Sequence, residues 1–122
     1  MSRILVADDH EVLRGGIARV LTNANHEVTQ VANGNAAIEE LHRGQYDVIV
    51  SDLKMPGLDG PSLYLELTRR WPDTRPHLLF ISGFVDSPEY VGFLQGTRVQ
   101  VLLKPFAVDD LSRAVSHLLS QS

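Results

Sequence analysis

Five residues of this chain have types suited to chemistry on a phosphate: Asp8 and Asp9 side by side, then Asp52, Ser82 and Lys104. Brought together by folding, the three carboxylates would repel one another. Two unit charges about 4 Å apart cost about 4 kcal/mol at an effective dielectric of about 20. A divalent cation offsets that cost, and a hard, oxygen-only ligand set suits Mg²⁺, which keeps several waters and shares its shell with phosphate. Lys104 would add fixed positive charge for phosphate oxygens, and Ser82 a hydrogen-bond donor. One carboxylate could then attack phosphorus and form an acyl phosphate. Asp8 and Asp9 alone do not distinguish nucleophile from metal ligand, whereas Asp52, expected on a central strand, is the better nucleophile candidate.

The elements that must position these residues are legible as two alternating patterns. Short β-branched or apolar runs occur at Ile4 to Ala7, Val28 to Val31, Asp47 to Val50, Leu78 to Ile81 and Val99 to Leu103. Several are apolar throughout, which suits strands buried on both faces of a parallel sheet. Between them, apolar residues recur at helical spacing: Leu13, Ile17, Val20, Leu21 and Ala24; Ala37, Ile38 and Leu41; Leu63, Leu67 and Trp71; Leu111, Ala114, Val115 and Leu118. Ser87-Pro88 reads as a cap followed by proline in the first turn and Gly96 as a C-terminal stop, predicting a short fourth helix over Glu89 to Gln95. The order β-α repeated five times predicts an α/β fold, a five-stranded parallel sheet with right-handed crossovers and helices on both faces. Ligands of such sheets bind beyond the carboxyl ends of the strands, where strand order reverses. Asp8-Asp9, Asp52, Ser82 and Lys104 all fall there.

Taken singly, each has a plainer explanation. Asp8-Asp9 before a helical run can be a cap pair, Asp52 can open a turn, Ser82-Gly83 can be a loop, and Lys104 can be a solvated lysine before a proline bend. Their coincidence at the ends of four strands is what points to one site.

Composition narrows the function classes. The 122 residues carry 43% hydrophobic and 21% charged side chains, which predicts one globular domain over residues 1–122. The net charge of −4 and the lack of a basic run argue against direct nucleic-acid binding. The absence of cysteine excludes a disulfide framework, Cys-ligated zinc and thiol catalysis, and fits a reducing cytoplasm. No apolar run approaches the roughly 18 residues of a membrane span, and Met1-Ser2-Arg3 leads directly into the first strand with no signal peptide expected. The five histidines show no metal-ligand spacing.

With these residues in place, the whole chain resembles the receiver domain of bacterial two-component response regulators. The likeness rests on Asp8-Asp9, on Asp52-Leu53-Lys54-Met55-Pro56-Gly57-Leu58-Asp59-Gly60, on Ser82-Gly83 and on Lys104-Pro105-Phe106. It implies the CheY-like, flavodoxin-type strand order 2-1-3-4-5. It implies Asp52 as phosphoacceptor, Asp9 as a direct Mg²⁺ ligand, Asp8 acting through water, and the backbone carbonyl of Lys54 as a further ligand. It implies Ser82 as the switch hydroxyl and Lys104 as the phosphate-contacting lysine, followed by a cis peptide bond to Pro105. The expected partners are a sensor histidine kinase or histidine phosphotransfer protein, which donates from phosphohistidine, and a downstream protein target.

The chain departs from the family pattern at Val101. Many receivers carry Tyr or Phe three residues before the lysine, as a rotamer switch coupled to the hydroxyl, and valine cannot swing in that way. Lys54 and Phe84 occupy two positions that tune phosphate lifetime in the family; Phe84 is expected to shield the phosphate and Lys54 to add positive charge. Tyr90 and Phe93 read either as core or as an exposed partner surface. Among other functions, a haloacid-dehalogenase-type phosphatase needs an aspartate two residues after its nucleophile, where Lys54 stands. A dinucleotide site needs a glycine-rich turn after strand one, where Asp8-Asp9 would repel a pyrophosphate. The remaining alternative is a pseudo-receiver, an interaction module that takes no phosphate; it would be signalled by loss of an acidic residue or the lysine, and none is missing.

Overall fold

In the computed structural model, residues 2–73, 75–83, 88–97 and 99–121 are described, without the side chains of Pro88 and Glu89. Five strands and five helices alternate: β1 (Arg3–Ala7), α1 (Glu11–Asn23), β2 (Glu27–Val31), α2 (Gly34–Arg43), β3 (Val48–Asp52), α3 (Gly60–Arg70), β4 (His77–Ser82), α4 (Pro88–Thr97), β5 (Gln100–Leu103) and α5 (Val108–Leu119). All strand pairs are parallel and the order is β2-β1-β3-β4-β5, as expected.

The period of two along the strands sorts the core into two layers. Leu5, Ala7, Ile49 and Phe80 face one side, where they meet Ala37 and Leu41 of α2, Leu63 and Leu67 of α3, and Tyr90 of α4. Ile4, Val6, Val48, Val50, Leu79 and Ile81 face the other, against Ile17 and Leu21 of α1 and Leu111, Val115 and Leu118 of α5. The central strands β1 and β3 are therefore apolar on both faces, while the edge strands expose Glu27, Gln30 and Gln100.

The limits of the strands and of α4 lie within one residue of the sequence reading except at two ends, which differ by two. Strand β3 runs to Asp52, two residues further than Val50, because it is paired on both sides and its register with β4 continues to Asp52 opposite Ile81. Helix α4 passes through Gly96 to Thr97, so Gly96 is no stop; the Thr97 hydroxyl donates to the Phe93 carbonyl at 2.6 Å within that last turn. The Ser87 cap expected for α4 lies outside the described residues.

Candidate functional site

The strand order reverses between β1 and β3, and the carboxyl ends of these neighbours deliver the acidic residues. Asp8 and Asp9 follow β1 directly, and Asp52 closes β3. A ligand atom from each of Asp8, Asp9 and Asp52 lies within 4.8 Å of the other two, the one such acidic or histidine group among the described residues. Lys104, just past β5, places Nζ 3.8 Å from Asp52 Oδ2. Its backbone N–H donates to the Ser82 carbonyl at 3.0 Å, and the Lys104-Pro105 peptide is cis, as expected. A cleft of about 570 Å³ joins these groups, lined by Asp9, Asp52, Lys54, Ser82, Lys104 and Tyr90, with His10 at its edge. All five residues singled out in the sequence meet at this cluster or its cleft.

The backbone holds the acids firmly. Asp52 is the last residue of a doubly paired strand, and the next residue, Leu53, donates to the Ile81 carbonyl at 3.0 Å. Beyond it the loop alternates: Leu53 and Met55 are buried in the core while Lys54 is exposed at the cleft. Gly57, at φ +76°, takes the left-handed conformation that lets this loop turn back. The loop ends on Asp59, whose carboxylate caps α3 by accepting from the Ser62 N–H at 3.0 Å. Asp8 is no helix cap. Its Oδ1 accepts the His10 N–H at 2.8 Å, and His10 itself holds the N-cap position of α1.

The electrostatics are those of a site short of positive charge. Burial pushes the Asp52 carboxyl above its ordinary range; Lys104 opposes this, Asp8 adds to it, the Lys54 N–H opposes, and Asp9 adds again. Asp8 is buried at 1% exposure, and its Oδ2 has no hydrogen-bond partner among the described residues. A buried carboxylate oxygen is not left so without cost unless something charged completes it. The orphaned oxygen and the hard oxygen donors of Asp8, Asp9 and Asp52 fit a divalent cation of the Mg²⁺ type.

Sequence reasoning missed two contributors. Tyr90 of α4 is only 6% exposed and belongs both to the core layer of Phe80 and to the cleft wall. One turn on, the half-buried Phe93 packs edge-on against Phe80 and Tyr64, at ring separations of 5.8 and 5.4 Å. Both residues are thus core rather than an exposed surface. Val101 sits on β5 opposite Phe80, so the aromatic beside the cleft comes from α4 and not from β5. Arg14, in sequence one charge on an amphipathic helix, bonds the backbone beneath the acidic pair. Phe84 lies outside the described residues.

A doubly wound sheet with an acidic triad and a lysine at its switch point defines the class of CheY-like receiver folds. A sequence profile described as "Response regulator receiver domain" matches residues 4–116, and the chain belongs to that family, the receiver domains of two-component systems. It is 30% identical over 120 residues to "Sensor kinase CckA" of Brucella abortus (strain 2308), covering 97% of this chain but 12% of that protein. It is 32% identical over 121 residues to "Response regulator receiver protein CpdR" of the same organism, covering 98% of each. Among solved structures, the receiver domain of sensor histidine kinase PA1611 from Pseudomonas aeruginosa PAO1 superposes with a TM-score of 0.87 at 27% identity over 98% of both chains; it has a magnesium ion coordinated in its active site cleft. The chain therefore spans a small part of some relatives and nearly the whole of others. Receiver domains are signalling switches, and no helix among the described residues is long and apolar enough to cross a membrane.

Proposed function

We propose that this chain is a single receiver domain over residues 1–122 that accepts a phosphoryl group on Asp52 from a phosphohistidine of a sensor kinase or phosphotransfer protein. The observation that carries this reading is the convergence of Asp8, Asp9 and Asp52 within 4.8 Å, with Lys104 at 3.8 Å from Asp52. A carboxylate oxygen of Asp52 forms the new P–O bond as the P–N bond of the donor breaks. The electron pair of that bond stays on the imidazole nitrogen, which takes a proton from solvent, and Asp52 becomes an acyl phosphate.

The residues divide the work. The strand pairing of β3 holds the Asp52 carboxylate at the cleft floor, and positioning of this kind supplies much of the catalysis of phosphoryl transfer. Lys104 places positive charge where the phosphoryl oxygens arrive. Ser82, buried at the end of β4, offers its hydroxyl to the same group. Asp9 and Asp52 would hold Mg²⁺ directly with the Lys54 carbonyl, and Asp8 through water. When bound, the ion neutralises negative charge gathered at the cleft. The domain catalyses only its own phosphorylation and hydrolysis, resides in the cytoplasm and signals through protein contacts. The net charge of −4 and the absence of a basic run support protein partners over nucleic acid.

The test is transfer from a phosphohistidine protein carrying a radiolabelled phosphoryl group. Label is expected to move to the wild-type chain and to stay on the donor when Asp52→Asn is supplied. Transfer that persists at the wild-type rate in Asp52→Asn would overturn the assignment of the acceptor. Failure of the wild type both to take label and to bind Mg²⁺ would leave an interaction module of the pseudo-receiver kind.

A further inference from the structure

The Asp8 backbone is held from both sides, and one of the two groups is a side chain outside the expected machinery. The Asp8 N–H donates to the Val31 carbonyl of β2 at 3.1 Å. The Asp8 carbonyl accepts from Arg14 Nη1 of α1 at 2.9 Å. The same guanidinium is braced on β2, where Nε donates to Gln30 Oε1 at 3.3 Å. One planar fork thus ties α1 and the edge strand β2 to the peptide that joins Asp8 to Asp9. The Asp8 carboxylate itself is fixed through the His10 N–H, and its second oxygen is left for the cluster.

From this geometry we propose that Arg14 is a positioning residue for the cation site: it sets the orientation of the Asp8-Asp9 peptide, and through it the convergence of both carboxylates with Asp52. The proposal rests on the reading of that cluster as a Mg²⁺ site. It goes beyond it by assigning a task to a cation that touches neither the ion nor the phosphoryl group. Arginine suits the task because its donors sit on separate, rigidly spaced nitrogens, so one side chain spans the Asp8 carbonyl and Gln30 together; lysine carries its three donors on one nitrogen, without that fixed spacing.

Charge and position predict opposite signs. A positive side chain near a cation site weakens cation binding by repulsion, so removing it for charge reasons alone would tighten binding. Loss of the brace would loosen the acidic pair and weaken binding. Outer partners of metal ligands typically cost about 10- to 100-fold in affinity when removed, and a backbone brace belongs at the low end.

The experiment is calorimetric titration with MgCl₂ of the wild type, Arg14→Met and Arg14→Lys, each first shown folded by circular dichroism. Arg14→Met keeps the apolar stem and removes the donors; its affinity is expected to fall about tenfold, with Arg14→Lys between it and the wild type. Equal or tighter Mg²⁺ binding by Arg14→Met would overturn the proposal. If Arg14→Met does not fold, Arg14→Lys decides: weaker binding supports the brace, and wild-type binding overturns it. A wild-type chain that binds no Mg²⁺ would overturn the cation-site reading and the brace with it, whereas normal binding in both variants overturns the brace alone.

Discussion

Asp52→Asn is expected to make the protein more stable while abolishing its chemistry. Burial is the largest influence on this carboxylate, and it disfavours the charged form. Lys104 and the Lys54 N–H work the other way, but burial together with Asp8 and Asp9 prevails, since the net displacement is upward. The folded state therefore bears a cost for keeping Asp52 ionised at neutral pH, and a neutral isostere removes it. A functional carboxylate held against its own preference is a common source of recoverable stability, about 1 kcal/mol here. Thermal unfolding in EDTA should show a higher Tm for Asp52→Asn than for the wild type. Addition of MgCl₂ should raise the wild-type Tm and leave the variant much less affected, because the acidic cluster has lost a member. A lower Tm for Asp52→Asn in EDTA would mean that the Lys104 ion pair outweighs burial and repulsion.

Gly60→Ala is expected to destabilise by about 2 kcal/mol, against the general preference of helices for alanine. A β-carbon at Gly60 would lie 2.8 Å from Leu53 Cδ1, 3.0 Å from the Leu53 carbonyl oxygen and 3.0 Å from Phe80 Cε1. Leu53 and Phe80 are 1% and 0% exposed, so neither has room to retreat. The Leu53 carbonyl is further pinned by the Gly60 N–H at 2.8 Å. Relief has to come from the loop between β3 and α3, which carries Lys54 to the cleft, so Mg²⁺ affinity should fall along with stability. Gly15 and Gly16 provide the internal contrast: both lie within α1, and a β-carbon at either would have no neighbouring atom within 4 Å. Alanine at these two positions should stabilise by about 0.5–1 kcal/mol. Urea unfolding of the three variants checks the signs. A neutral or stabilising Gly60→Ala would show that the loop yields easily.

The fold was legible because its two periodicities are clean. The strands at Ile4 to Ala7 and Val28 to Val31 end where the sequence pattern ends, and the helix faces at Leu63 and Leu67 and at Leu111, Val115 and Leu118 are the buried ones. The end of β3 was not legible, since Ser51-Asp52 looks polar; only pairing to β4 on one side and β1 on the other carries a strand through it. The length of α4 was obscured by Gly96, whose helical conformation nothing local announces.

The acidic pair, Asp52, Ser82 and Lys104 were legible because an α/β sheet fixes where strand ends go, whatever lies between them. The places of Tyr90 and Arg14 were not. Whether the tyrosine of α4 faces core, solvent or cleft depends on the rotation of the helix, which the spacing of its few apolar residues, broken by Gly92, Gln95 and Gly96, leaves open. Arg14 bonds a carbonyl six residues back and a glutamine on another strand, a pairing that only the packing of α1 against β2 creates. No histidine joins the acidic cluster among the described residues, and His10, the α1 N-cap, lines the cleft.

Phosphorylation at Asp52 is tested most directly by the intact mass of the wild-type chain after incubation with acetyl phosphate, in MgCl₂ and in EDTA, followed by peptide mapping. A single phosphoryl adduct is expected that requires Mg²⁺, is released by hydroxylamine as an acyl phosphate must be, and maps to Asp52. An adduct that forms equally in EDTA, resists hydroxylamine or maps to Ser82 would contradict it.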